Sequence, residues 1–286
     1  MRCKPRQKKI IRKAFIALVA VAIRCPAAQA DNAIAAANNE VSLSLGGQNL
    51  LYHELDNYHA TNDRYLDSQH GNSLAGQLAV SRQDRLLGMD NIYSRASLTL
   101  SHGSATYNGY VISPNSSRGI GGSISQNLTG ALIDLNLILG KGFEIGSPRL
   151  QLTPYLGYGY YHWARDSIET YTWSEADIGM LAQYALTPRL VVSARVFYGM
   201  TLASQLQTHG GVAMSLGSRP SRGAGLGYDY ALGKHLHLTA NYQIGSYAFG
   251  ESAQVAGNYA GINGLWYEPT SRSVSQTVMA GIAYSF

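Results

Sequence analysis

The sequence predicts an all-β protein: a transmembrane antiparallel up-and-down β-barrel of ten strands, with eight and twelve as the adjacent counts. Three observations predict it. The carboxyl-terminal residues Ser273–Phe286 alternate with a period of two, which is a strand period. The amino-terminal residues have the three parts of an export signal. Between them no run of 18 apolar residues occurs, so no helix is offered to a bilayer. A chain that enters lipid without helices must still pair every backbone polar group, and only closed strands do so.

The leader comes first. Met1–Lys13 carries seven Lys or Arg and no acid, and Ala14–Ile23 is a ten-residue apolar run. Ala28-Gln29-Ala30 then forms a small-x-small cleavage site before Asp31. Residues 1–30 are therefore expected to be a secretory signal peptide, and 31–286 the barrel. Arg24 stands where a lipoprotein signal needs a small residue before Cys25, so lipidation is not expected. The leader holds eight of the 22 bases and none of the 17 acids. Residues 31–286 keep 14 bases against 17 acids, a net charge of −3. The basic isoelectric point thus belongs to the leader and does not indicate nucleic-acid binding. Cys3 and Cys25 also lie in the leader, which leaves the barrel no disulfide or thiol chemistry.

Ten strand segments are expected, at 40–54, 72–82, 92–102, 127–140, 150–164, 172–186, 189–202, 221–232, 235–249 and 272–286. Thr187-Pro188-Arg189 and Gly233-Lys234 are tight turns, and Gln83–Asn91 and Lys141–Arg149 are moderately short. The connectors near 55–71, 103–126, 203–220 and 250–271 are long, polar and rich in Gly, Ser and Asn; that near 165–171 is shorter. Short periplasmic turns alternating with longer outer loops are the pattern of membrane barrels. Both termini then fall on the short-turn side.

Alternation assigns the faces. In the last segment Val274, Val278, Ala280, Ile282, Tyr284 and Phe286 share one face, with only Gln276 and Met279 out of place. Segment four sets Leu135, Leu137 and Leu139 outward with Asp134 and Asn136 inward. Segment seven sets Val196 and Tyr198 outward with Arg195 inward. The same parity places Arg95, Asp177, Asp229, His237 and Asn241 inside. An Arg on the lipid face at the midplane costs about 2–4 kcal/mol, so charges belong in the lumen. Arg95, Asp134, Asn136, Asp177, Arg195, Asp229, His237 and Asn241 are therefore the expected lumen network. Buried charges persist when paired, so ion pairs among its Arg and Asp members are expected. Eight strands are just filled by side chains, so ten should hold a polar plug in preference to a narrow path. Tyr158, Tyr160, Tyr161, Trp163, Tyr184, Tyr228, Tyr230, Tyr242 and Tyr284 are expected in aromatic girdles at the two interfaces.

Chemistry is sparse. His53, Glu54, Asp56, His59, Asp63, Asp67 and His70 crowd the first long connector without a compact ligand spacing, so no metal and no cofactor is expected. Gly119-Ile120-Gly121-Gly122 lacks the strand–turn–helix context of a phosphate cradle. His102, with Ser94, Ser97, Ser101 and Ser104 in the same segment, is the nearest approach to a His–Ser pair. A lone His at a strand end is ordinarily an interfacial residue, and no catalytic residue is nominated.

The Phe-terminated alternating strand resembles that of bacterial outer-membrane β-barrel proteins. Pro154-Tyr155-Leu156-Gly157-Tyr158-Gly159-Tyr160 and the step Tyr184-Ala185-Leu186-Thr187-Pro188-Arg189-Leu190 are similar to strands and turns of small OmpA/OmpX-like and autotransporter-type barrels. The resemblance implies that the last strand closes the cylinder. It also implies that Val278, Ala280, Ile282, Tyr284 and Phe286 are read by the barrel assembly machinery. It implies a place in the outer membrane of a Gram-negative bacterium, in contact with lipid and lipopolysaccharide. The sequence departs from OmpA proper in showing no peptidoglycan-binding domain, and from autotransporters in showing no passenger. The function expected is non-enzymatic: a structural or adhesive surface protein, or a porin-like narrow pore, whose extracellular ligand the residues do not name. The alternative is an enzyme at the barrel rim, either a lipid hydrolase or acyltransferase or an omptin-like protease. Omptins need paired acids and an Asp–His couple at that rim, and the sequence contains no Asp-x-Asp and no Asp-x-His.

Overall fold

The computed structural model describes residues 33–57, 63–113, 120–259 and 261–286. The expected signal peptide, with Ala28 and Ala30, lies outside the described residues, as does His59.

Ten long strands close into one antiparallel cylinder. They are β1 (Glu40–Leu55), β2 (Tyr65–Leu86), β3 (Met89–Ile112), β4 (Ile120–Lys141), β6 (Ser147–Ala164), β7 (Glu169–Thr187), β8 (Leu190–Thr208), β10 (Pro220–Ala231), β11 (Leu236–Phe249) and β14 (Ser271–Ser285). Short strands β5 (Phe143–Ile145) and β9 (Ala213–Ser215) attach to the same sheet, and β12 (Val255–Tyr259) and β13 (Ile262–Trp266) form a separate hairpin. A helix, α1 (Ala33–Asn38), precedes β1. The expected closure is present: β14 pairs with β1 from Glu40↔Ser285 to Glu54↔Ser271, so no edge of the cylinder is left unpaired. At that seam Gly46 is required, since a Cβ there would collide with the Val278 carbonyl of β14.

One end of the cylinder carries α1, the end of β14 and the short turns, the other the long connections. The turn between β2 and β3 is tighter than the expected Gln83–Asn91 connector. Leu87 and Gly88 both have positive φ, 51° and 81°, which matches the right-handed twist of the flanking strands. The larger departure lies at the loop end. β2, β3 and β4 run 22, 24 and 22 residues, well past the segments expected at 72–82, 92–102 and 127–140. A tilted strand crosses the hydrocarbon in about 9–11 residues. The surplus exceeds what a crossing needs, and strand beyond the hydrocarbon has no physical reason to alternate, so its sequence looks like loop.

Outward-pointing Leu45, Leu100, Leu139, Leu156, Ile178, Val196, Leu226 and Val278 are all exposed and make an apolar band around the wall. Ala280 lies in it, paired with Leu45 on one side and Ala240 on the other. Ala280→Arg is expected to lower stability by about 2–4 kcal/mol, read from urea unfolding in lipid vesicles. A change below about 0.5 kcal/mol would mean that this face does not meet hydrocarbon.

Candidate functional site

The interior gathers the polar groups, and it has three levels. The floor, at the turn end, is built by α1. Ala-Ile-Ala-Ala-Ala-Asn is made mostly of strong helix formers, yet six residues hold a helix only where packing supports them. Fully buried Ile34 supplies that support against Ala185 and Val191. Asn38 ends the helix and donates from Nδ2 to Gln83 Oε1 at 2.6 Å and Gln183 Oε1 at 2.8 Å. Gln151 joins Gln83 through Nε2 at 3.0 Å, so the floor is an uncharged amide network across the bore.

Above it lies a cavity of about 180 Å3 lined by Arg95, Asp134, Asn136, Arg195, Asp229 and Asn241, among others. Six of the eight residues expected in the lumen line this cavity, and the other two, Asp177 and His237, are buried. The ion pairs expected among them do not form. Arg195 donates to Gln243 Oε1 at 2.8 Å and Arg95 to Gln77 Oε1 at 3.4 Å. Asp134 Oδ1, Asp177 Oδ1 and Asp229 Oδ2 have no protein partner. Alternation decides the face of a residue and says nothing of its neighbour across a bore, so shared parity did not mean contact. Asp229 instead meets His237, with Nδ1 2.7 Å from Oδ1.

The third level closes the loop end, and it is where the charges pair. Arg165, just past β6, is the hub, with its side chain 2% exposed. Nη1 reaches Glu54 at 3.0 Å and Glu169 at 2.8 Å, Nη2 reaches Asp67 at 2.8 Å, and Nε donates to Gln69 Oε1 at 2.8 Å. The guanidinium also lies 4.5 Å from the Tyr52 ring centroid and 5.4 Å from that of Tyr107. Tyr171 donates to Glu268 Oε1 at 2.6 Å, and Tyr259 to Glu169 Oε1 at 2.8 Å. Four strands (β1, β2, β3 and β7) thus meet at the cation that the β6–β7 turn supplies, and the segment carrying β12 and β13 joins at one remove, through Tyr259 on Glu169 and Glu268 on Tyr171. Below it packs an aromatic layer of Tyr52, Trp163, Tyr171, Trp173, Tyr247 and Phe249. Tyr161 stacks on Trp173 at 4.7 Å between ring centroids. Tyr161 and Trp163 therefore belong to this plug and not to the girdles expected of them. Tyr158, Tyr160, Tyr184, Tyr228, Tyr230, Tyr242 and Tyr284 are exposed on the wall.

A bulge completes the plug. Ala203 has φ 47°, and two residues of β8 lie opposite Trp173 alone. The extra residue reverses the parity of β8 and turns Leu206 inward into the aromatic layer.

Four carboxylates face one guanidinium, and burial resolves the imbalance. It would by itself drive off the Arg165 charge, but Asp67 and Glu169 hold it well above the usual arginine range. Burial, and then the charge of Glu169, pushes the Glu268 carboxyl up to about 8 from an ordinary 4.5. Between those values the folded chain holds a proton that the unfolded chain releases. Closure is therefore strongest at low pH and weakens as pH rises through about 8. Hydrogen exchange over residues 261–270, corrected for intrinsic rate, is expected to lose protection between about pH 5 and pH 9. Glu268→Gln is expected to flatten that dependence, and an unchanged profile would remove Glu268 as its cause.

No family model and no curated protein matches the chain. Among solved structures, the outer-membrane protease OmpT of Escherichia coli aligns at TM-score 0.54 and 12% identity, over 92% of this chain and 99% of that one. The fold of this chain is that of a bacterial outer-membrane β-barrel. The transport unit of the Escherichia coli autotransporter AIDA-I aligns at TM-score 0.43 and 11% identity over 86% and 90%. The Yersinia pestis attachment protein Ail aligns at 0.29 and 12% over 87% and 99%.

Sequence reasoning missed Arg165, Glu268 and α1. The helix was legible in its Ala-rich composition. Arg165 and Glu268 sit in connectors where a charge is unremarkable, and only the closed cylinder brings their partners to them. In β3, His102 is exposed on the outer face together with Ser104, and Ser94 has the same parity, whereas Ser97 and Ser101 are buried on the opposite side.

Proposed function

We propose that this outer-membrane barrel is a sealed, non-enzymatic surface protein, whose elongated strands carry a rigid loop end beyond the lipid to meet structural or adhesive partners. The observation that carries the reading is the Arg165 hub. A pore needs a wet path, and here an ion cluster and an aromatic layer cross the bore at one end and α1 crosses it at the other. Four strands tied to one buried side chain make a firm platform, and surface contact asks for that. Two features favour the non-enzymatic reading over a rim enzyme. The Asp229–His237 couple lies at the turn end inside the bore, away from the rim, and His102 makes no hydrogen bond to Ser104, the exposed serine on its own face.

The test is electrical. The refolded wild-type barrel in a planar bilayer is expected to show no stepwise conductance. Regular unitary steps in the wild type would overturn the sealed reading and favour the narrow pore. Turnover of a peptide or phospholipid panel by the same preparation would favour the enzyme.

A further inference from the structure

We infer that Glu40, Asp229 and His237 form a divalent transition-metal site in the barrel wall at the turn end. One ligand atom from each lies within 4.8 Å of the others, the spread that a single ion can draw together. His237 Nδ1 is 2.7 Å from Asp229 Oδ1 and 3.9 Å from Glu40 Oε2. Two of the oxygens are unspent. Glu40 Oε2 and Asp229 Oδ2 are buried with no hydrogen-bond partner, and the Glu40 side chain is 7% exposed. Two carboxylates side by side at the cavity wall repel each other, Arg95 in the same cavity relieves them only in part, and a shared cation would complete the balance.

The donor set narrows the ion. Imidazole with two carboxylates suits zinc, iron or manganese better than calcium or magnesium, which take oxygen alone. Three protein ligands leave a further position open, and Glu40 and Asp229 face the cavity, which has room for water there. The ion would bind the Nδ1 lone pair that faces Asp229 in the tautomer whose single proton sits on Nε2; any proton on Nδ1 moves to Nε2 or leaves to solvent through the cavity as the ion binds. Arg95 also lines the cavity, and its charge limits the affinity.

Glu40 opens β1, while Asp229 and His237 flank the β10–β11 turn, and β14 runs between them. An ion there clasps the first strand to the last hairpin across the closing strand, inside the wall. It locks the seam without touching the loop end, so this inference does not rest on the sealed-surface reading.

The test uses the whole refolded barrel, stripped with chelator and titrated with zinc or cobalt alone. One ion per chain is expected. Bound cobalt is expected to show visible bands of a four- or five-coordinate nitrogen–oxygen site, and saturating zinc to raise the thermal midpoint. Asp229→Asn and Glu40→Gln keep shape and are each expected to weaken zinc by about tenfold or more and to abolish the rise. His237→Ala leaves a hole, so His237→Gln serves beside it, with heat-modifiable gel migration showing that each variant is folded. Absence of binding, or binding unchanged in the folded variants, would overturn the site. So would tighter binding of calcium than of zinc.

Discussion

Arg165→Ala is expected to open the loop-end mouth and to cost about 3–5 kcal/mol, the range for removing one partner of a buried ion pair. The cost exceeds that of a surface pair because the deletion strands several groups at once. Glu54, Asp67 and Glu169 lose their cation and Gln69 loses a donor, while the guanidinium leaves the faces of Tyr52 and Tyr107. Lys cannot replace it, since one ammonium has no planar fork to serve acceptors in three directions. Arg165→Lys is therefore expected to recover only part of the loss. In bilayers the Ala variant is expected to show flickering conductance where the wild type shows none. Its urea midpoint in vesicles should fall, and hydrogen exchange should rise at residues 261–270 before the strands exchange. A silent Ala variant of unchanged midpoint would mean that the cluster holds nothing closed. Combining Arg165→Met with Asp67→Asn and Glu169→Gln is expected to restore part of the stability, because fewer buried charges are then stranded.

Trp173→Ala is the second large effect, with about 3–5 kcal/mol expected for removing a fully buried indole. Trp173 is 1% exposed and lies within 5.2 Å, between ring centroids, of Tyr161, Tyr247 and Phe249. It is also the single residue opposite the β8 bulge, so the surrounding wall cannot close on the hole without undoing the bulge. Urea unfolding in vesicles reads the loss, and Trp173→Phe is expected to recover about half of it. A loss below about 1 kcal/mol would show the plug to be loosely packed.

How far the sequence reaches differs by level. All ten strands were legible, because hydrocarbon outside and water inside impose a period of two on every crossing. Parity along the strands was legible for the same reason: six of the eight polar residues expected inside line the cavity, and Asp177 and His237 are buried. The lengths of β2, β3 and β4 were not, because strand that rises above the bilayer has no apolar face to betray it. The aromatic plug was misassigned in part, since an inward Tyr161 and an outward Tyr160 differ by a single step along one strand.

By itself the sequence determined a closed cylinder of ten strands and the face that each strand turns outward, both of them consequences of one-dimensional patterning. The tertiary structure alone decided that the bore is shut, that Arg165 gathers its charges, and that Glu40 meets Asp229 and His237. Most of those contacts join residues tens to hundreds of positions apart in the chain, where no local pattern records which neighbour closure will supply.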